Sequence, residues 1–510
     1  MLGSRAVQPS TDPSLSPLQV ALRRVDKLQS ILDVAKAMTV QRDLETLLPL
    51  ILKEAARVVE ADRCSLFILD REKNELWSRI AQGTTGEIRV PVGSGIVGAV
   101  AQSGQVVNIR DAYEDPRFNR NFDVANNYRT RSILGVPMRD TRGDVTGVIQ
   151  ALNAADGEFD AEDEELLLAL GGQAASAIEN ALLNEEINTL FEGFVSASVV
   201  AIESRDPTTA GHSGRVASLT VSLAQATEAA SRGRYAGLKF SQSDIREIRY
   251  ASLLHDFGKV GVREAVLVKA EKLYPAELDV LRARFELARK DRQVQSYQRR
   301  IDQLRLRGDK EATAITQEED ERMQRELKEL DEALEFILQC NKPTVLAQGG
   351  FERLHTLGQL AFNDSHDRPN NLLSPAEVSV LSIPRGSLSS LERREIESHV
   401  THTFQFLSRI PWTRDLRRVP AIAYAHHEKL DGKGYPLSMP AEKIPVQSKM
   451  MAISDIYDAL TASDRPYKKA MPHELALDIL KKESDNGQLD NELFQIFVEA
   501  EVPKRSLKPR

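Results

Sequence analysis

Cysteine is nearly missing from this 510-residue chain, which has two, Cys64 and Cys340, far apart and in no metal-ligand spacing. A disulfide framework is excluded, and both residues read as buried apolar side chains in a reducing compartment. Long apolar runs are also lacking: none approaches the roughly 18 to 20 residues that a membrane-spanning helix needs. Nor is there an excess of basic charge, since 67 Lys and Arg face 75 Asp and Glu for a net charge of -8. Broad binding to a nucleic-acid polymer or a membrane is therefore not expected, whereas a small anion in a local basic pocket stays open. The first residues, with Pro9, Pro13 and Pro17 among serines, lack the apolar segment of a secretory signal and read as a disordered tail over about 1–20. A cytoplasmic location is the expectation.

What is present suggests more than one domain, because the chain is too long for one ordinary core. From Leu22 to Val59 apolar residues recur at helical spacing and predict two amphipathic helices. Short β-rich runs follow at Cys64–Leu69, Leu76–Ala81, Ile88–Pro91, Val106–Ile109, Ser132–Met138 and Val145–Leu152, punctuated by glycines as in an antiparallel α+β domain. The helical period resumes at Asp160 and runs to Phe194, a long connecting helix. Beyond Val195 nearly every apolar run reads as helix, so the C-terminal half is expected to be all-α. Residues 282–338 are dense in Arg, Lys, Glu and Gln and are divided by Gly308, the pattern of an exposed helical hairpin or coiled coil. This insertion reads as a solvated charged arm, with a docking arm for a protein partner as the alternative. Asn363–Asn371 reads as a loop.

Five of the nine histidines are ligand candidates: His212, His255 next to Asp256, His399, and His426 next to His427, with Asp455 further on. Neutral imidazoles supply nitrogen ligands for Fe, Mn or Zn, and a carboxylate can bridge two cations. On a helical scaffold such ligands can converge in a bundle core. Gly432 and Gly434 would let the backbone approach a ligand closely, and Tyr435 suits stacking on a purine.

The strings Asp206-Pro207-Thr208-Thr209-Ala210-Gly211-His212, Leu254-His255-Asp256-Phe257-Gly258-Lys259, His426-His427-Glu428-Lys429-Leu430-Asp431-Gly432-Lys433-Gly434-Tyr435-Pro436 and Asp455-Ile456-Tyr457-Asp458-Ala459-Leu460-Thr461 resemble, in this order, the motifs of the HD-GYP family. The resemblance implies a metal-dependent phosphodiesterase that hydrolyses cyclic di-GMP to pGpG or GMP. It implies two divalent ions, Fe or Mn. His212, His255, Asp256 and Asp455 would hold one, and Asp256 would bridge to a second on His399, His426 and His427. Asp256 and Lys259 are the catalytic candidates. Lys259, Asp431, Gly434, Tyr435, Arg465 and Lys468 are the substrate-binding candidates. Thr208 stands where some members have a glutamate that holds a third metal, which favours two metals; Val400 and His402 also depart from the usual pattern. A catalytically silent cyclic-dinucleotide receptor and a phosphohydrolase of another cyclic dinucleotide are the alternatives.

The earlier half resembles a GAF domain, most closely at Asp111–Asn119 and Tyr128–Pro137. Those strings are similar to the cyclic-nucleotide-binding GAF domains of phosphodiesterases and adenylyl cyclases. Asn153, Phe159, Asp163 and Glu164 keep the spacing of that group's signature, with Ala154 replacing its lysine. The resemblance implies cGMP or cAMP as a regulatory ligand, contacted by Asn119, Tyr128, Arg129 and Thr130. A GAF domain that only couples and dimerises is the alternative. The expected architecture is an α+β GAF sensor over 21–185, joined by a long helix to an all-α HD-type domain over 186–500, with the helical insertion at about 282–340 and a tail over 501–510. The apolar stripe of the connecting helix predicts a parallel homodimer.

Overall fold

The computed structural model describes residues 43–78, 87–125, 127–205, 210–343, 350–364, 366–462 and 470–506, with isolated positions before 43. The chain forms two compact units, Met1–Gly193 and Phe194–Arg510.

In the first unit, α1 (Leu44–Val58) starts at Asp43, whose carboxylate accepts from Thr46 N at 3.0 Å. Six strands follow: β1 (Ala61–Asp70), β2 (Glu75–Ser78), β3 (Ile88–Pro91), β4 (Val107–Ile109), β5 (Ile133–Arg139) and β6 (Val145–Ala154). They form one antiparallel sheet of order β3-β2-β1-β6-β5-β4. The alternation of side chains along β1 explains the layers. Leu66 and Ile68 join the core beneath α1 and the long helix α4 (Ala161–Arg205), while Phe67 turns to the opposite face with Val97 and Val100. Those two valines belong to α2 (Gly95–Ser103), which, like α3 (Arg120–Ala125), the glycine-punctuated sequence did not reveal. The first amphipathic helix expected after Leu22 falls mostly outside the described residues.

Helix α4 corrects one expectation. It holds an 18-residue stretch long and apolar enough to cross a bilayer by length and composition, and 44% of that stretch is buried within the protein. The apolarity comes largely from Leu166, Leu167, Leu168, Leu170, Ile178 and Leu182, with alanines between them. Core helices pass the same test, so the feature assigns no membrane.

The second unit contains α5 (His212–Glu228), α6 (Gln242–Leu254), a 3-10 turn (Phe257–Gly261), α7 (Glu264–Leu267), α8 (Pro275–Arg307), α9 (Ala312–Asn341), α10 (Gly350–Gln359), α11 (Pro375–Leu381), α12 (Ser390–Glu397), α13 (His399–Leu407), α14 (Val419–Tyr424), α15 (Val446–Thr461), α16 (His473–Asp485), α17 (Asn491–Glu499) and α18 (Val502–Ser506). Leu223, Ile248, Ile453, Leu480 and Phe497 meet in its main core. The expectation of helix alone is corrected at the predicted loop 363–371. There β7 (Ala361–Asn363) pairs with β8 (Pro369–Asn371), and Asp364 closes the turn through the backbone N–H groups of His366 and Arg368. The charged insertion is a hairpin of α8 and α9, somewhat longer than the charge pattern suggested. Leu281, Phe285 and Ala288 meet Leu330, Ala333 and Ile337 between its arms.

Candidate metal centre

Each metal-ligand candidate stands at a helix end or on a buried helix face. His212 opens α5 behind Gly211, whose φ of 67° a glycine adopts freely. Ser241 caps α6, and the chain leaves that helix through His255 and Asp256 into the 3-10 turn. His399 opens α13, His426 and His427 follow α14, and Asp455 lies mid-way along α15. A methyl group on Gly258 would come within 1.8 Å of His399 O, so its bare backbone lets the turn lie against α13. Thr403 fastens the same contact, donating to His255 O at 2.9 Å and accepting from Gly258 N at 2.8 Å.

These elements bring all seven candidates together. His212 Nε2 lies 3.2 Å from Asp455 Oδ1 and 3.9 Å from Asp256 Oδ2. His255 Nε2 lies 3.5 Å from Asp256 Oδ2, and His399 Nε2 lies 3.2 Å from Asp256 Oδ1. The two oxygens of Asp256 thus face opposite halves of the cluster. The ring centroids of His399 and His427 are 5.4 Å apart, and those of His426 and His427 are 4.0 Å apart. Ligand atoms of His399, His426 and His427 lie within 4.8 Å of one another, as do those of His212, His255 and Asp256, and those of His255, His426 and Asp455.

The residues fit a cation pair. His255, His399 and His426 point Nδ1 at the carbonyls of Ser252, Ile396 and Ala423, at 2.8, 2.5 and 2.6 Å. A carbonyl only accepts, so Nδ1 carries the proton and Nε2 offers its lone pair. The Nε2 atoms of all three are buried and make no hydrogen bond. Leaving a buried polar atom unsatisfied costs about 1–3 kcal/mol, and a cation would offset that cost. Burial and the neighbouring imidazoles hold His426 well below its usual range, and burial lowers His427 to about 4, so both are neutral near pH 7, the form in which an imidazole could hold a cation. The Asp256 carboxyl stays ionised despite burial because Lys259 and His255 lie beside it. His212 differs: burial opposes its charge, but hydrogen bonds to Asp455 and Asp458 raise it to about 9. A proton there competes with a cation.

The other candidates are placed less uniformly. Lys259 Nζ lies 2.8 Å from Asp256 Oδ2, inside the site. The Tyr435 ring stands 4.8 Å from that of His427, and Tyr435 N donates to His427 O at 3.2 Å. Asp431 accepts from Lys433 N at 3.0 Å, a bond that closes a local turn. Gly434 corrects an expectation. A methyl group there would lie 2.3 Å from Lys429 N and 2.6 Å from His427 O, so the chain's own loop occupies the space reserved for a ligand. Arg465, Lys468 and Thr208 lie outside the described residues. His402 packs on Gly261, away from the cluster of ligand atoms.

Sequence reasoning missed the supports. Asp458 accepts from His212 Nδ1 at 2.7 Å and from Arg215 Nε at 2.7 Å. Its place one turn beyond Asp455 was the available signal. Buried Glu428 accepts from Leu437 N and Met439 N at 2.7 and 2.8 Å, holding the loop that carries Tyr435.

In the first unit, Thr130 donates to Asp123 through N and Oγ1, each at 2.7 Å, and Tyr113 donates to the same carboxylate at 3.1 Å. Arg129 lies over the Tyr113 ring at 4.1 Å. Tyr128 donates to Asp62 and receives Asn153 Nδ2 at 2.8 Å, and Asn119 caps its own turn at Asn121 N. The signature residues act within the fold: Asn153 also accepts from Arg131 N, Phe159 is buried, Asp163 accepts from Asp160 N, and Glu164 accepts from Asn108.

The fold and this cluster define a GAF domain followed by a helical HD domain. The GAF domain model matches residues 43–178 and the HD domain model residues 371–493. His399, His426, His427 and Asp455 fall inside the second match, and the α8–α9 hairpin separates it from His255 and Asp256. Among similar proteins, the dual 3',5'-cyclic-AMP and -GMP phosphodiesterase 11A of Takifugu rubripes is 35% identical over 183 residues, covering 33% of this chain and 20% of that protein. The dual phosphodiesterase 11 of Drosophila melanogaster is 33% identical over 183 residues, covering 32% of this chain and 13% of its own length. The chain thus spans a small part of the curated relatives it matches. A GAF domain from a phosphoenolpyruvate-protein phosphotransferase of Coxiella burnetii is 23% identical, with a TM-score of 0.30, covering 32% of this chain and 98% of that one.

Proposed function

We propose that this chain is a cytoplasmic, metal-dependent phosphodiesterase that hydrolyses cyclic di-GMP to pGpG or GMP under control of its GAF domain. The convergence of five histidines and two aspartates, three of those histidines with buried, unbonded Nε2 atoms, carries the reading. His212, His255, Asp256 and Asp455 would hold one divalent ion, and His399, His426 and His427 the other, Fe or Mn, with Asp256 shared. Bound there, the ions would supply Lewis-acid polarisation of the phosphodiester and make hydroxide accessible near neutral pH. Asp458 keeps His212 Nδ1 occupied and its Nε2 turned inward. Lys259 balances Asp256 and can pass its ammonium to a phosphate oxygen. Tyr435, beside His427, would stack on a purine, and Arg465 and Lys468 would neutralise further phosphate oxygens.

The names of the similar phosphodiesterases favour a second reading, in which the substrate is cAMP or cGMP. Chromatography of products from Fe- or Mn-loaded chain with cyclic di-GMP, other cyclic dinucleotides, cAMP and cGMP tests both. pGpG or GMP from cyclic di-GMP is expected. 5'-AMP or 5'-GMP from cyclic mononucleotides alone would move the assignment to the second reading, and no product from any of them would end both.

A further inference from the structure

Helix α8 has two apolar faces. One meets α9 through Leu281, Phe285 and Ala288. The other carries Val280, Leu287, Val294 and Ile301, spaced seven residues apart and 57%, 50%, 64% and 45% exposed, with Tyr297 at 55%. Four residues at a strict seven-residue interval describe the seam of a coiled coil, with β-branched Val280, Val294 and Ile301 at a. Ala283, Lys290, Tyr297 and Leu304 fall at d.

The charges beside the seam change sign along the helix. Asp279 and Glu286 occupy the acidic end of one flank, 77% and 71% exposed, and Arg300 and Arg307 its basic end, 20% and 50% exposed, with Gln293 between them. A second copy running parallel would set Lys290 against Lys290, Glu286 against Asp291 and Arg300 against Arg305. A copy running antiparallel about Gln293 sets Glu286 beside the partner's Arg300 and Asp279 beside the partner's Arg307. Across the seam it packs Val280 on the partner's Leu304 and Leu287 on the partner's Tyr297. Within one chain the arginines are already held by α9, Arg300 by Asp320 and Arg307 by Glu318 at 3.8 Å, so the hairpin presents a braced, not a collapsing, surface.

We propose that the α8–α9 hairpin is a self-association arm, pairing antiparallel with the same arm of a second copy to form a twofold four-helix contact. The pairing is isologous, since each residue of one arm meets its complement on the other. It is independent of the metal site, and it is a contact separate from pairing through α4.

Cross-linking of the full chain tests it. Cys64 and Cys340 are buried, so an introduced surface thiol reacts first. With a short bismaleimide, Gln293→Cys is expected to cross-link to its own copy. Val280→Cys and Leu304→Cys are expected to cross-link when mixed, with little product from either alone. Leu287→Glu combined with Val294→Glu should reduce the Gln293→Cys product at least tenfold while circular dichroism keeps its helical signal. Self-linking of Val280→Cys would mean a parallel pair and overturn the proposal. Absence of product both at 293 and in the mixture would overturn self-association itself.

Discussion

His212 Nδ1 lies 2.7 Å from Asp458, and the same carboxylate receives Arg215 Nε at 2.7 Å. A carboxylate behind a ligating imidazole fixes its tautomer and raises its basicity, and removing such a partner typically lowers metal affinity about 10–100-fold. Asp458→Asn is accordingly expected to weaken metal binding by that factor in competition with a chelator, with helicity unchanged. Unaltered affinity would reduce Asp458 to a structural partner of Arg215. The candidates His255, Asp256, His426 and His427 were legible in the sequence because His-Asp and His-His neighbours are conspicuous, whereas His212, His399 and Asp455 were legible only through the motif resemblance. Asp458 was not, because its role depends on which face of α15 meets α5, a tertiary fact. Gly434 was misread for the same reason: its sequence signals close approach, and only the fold shows that the approaching atoms belong to its own loop.

At the level of elements, Glu392 joins the start of α12 to the segment before α8. It accepts from Lys269 Nζ at 2.7 Å, Tyr274 Oη at 2.6 Å and Ser389 N at 2.8 Å. Burial raises its carboxyl, but these donors win and lower it from 4.5 to about 2. A depressed carboxyl stabilises the fold above its unfolded value and loses that contribution as pH falls from about 4.5 towards 2. Glu392→Gln should therefore cost up to about 3 kcal/mol near neutrality. The gap in urea midpoint between wild type and variant should narrow below pH 4.5, and a gap independent of pH would contradict the linkage. Helix α4 carries a second expectation. Leu183, Ile187 and Leu190 follow one another at four and three residues and stay substantially exposed, the spacing expected of a seam for a parallel partner. In a chain whose hairpin contact is removed by Leu287→Glu and Val294→Glu, Ile187→Glu with Leu190→Glu should halve the mass in light scattering, and an unchanged mass would contradict that pairing. The strands of the first unit were legible because short β-rich runs such as Cys64–Leu69 and Val145–Leu152 stand between turn residues; both faces of β1 are covered, so its apolar run is continuous. Helices α2 and α3 were not, since Gly95 and Gly104 imitate turn punctuation while the burial that holds α2 comes from β-sheet neighbours distant in sequence.

For the whole molecule, the proposed function gives a reason to join a GAF domain to an HD domain in one chain if a GAF ligand shifts turnover. Such coupling typically amounts to about 1–3 kcal/mol, or roughly 5-fold to 150-fold in affinity. The Tyr113–Asp123–Thr130 bonds and the Tyr128–Asp62 bond already engage the candidate contacts, so a cyclic nucleotide would have to exchange partners there. Calorimetry of cGMP and cAMP on full chain carrying Asp256→Ala separates sensing from turnover. Heat that Thr130→Val abolishes supports the GAF site, and no heat at millimolar nucleotide leaves the domain a coupling module. On the proposed function, this cluster holds a metal pair that performs phosphodiester hydrolysis, with Asp256 facing both halves. Elemental analysis of wild type and Asp256→Ala, paired with turnover of cyclic di-GMP on the same samples, addresses it most directly. About two equivalents of Fe or Mn with turnover in wild type, and loss of both metal and turnover in Asp256→Ala, are expected; full metal content with undiminished turnover in the variant would contradict it.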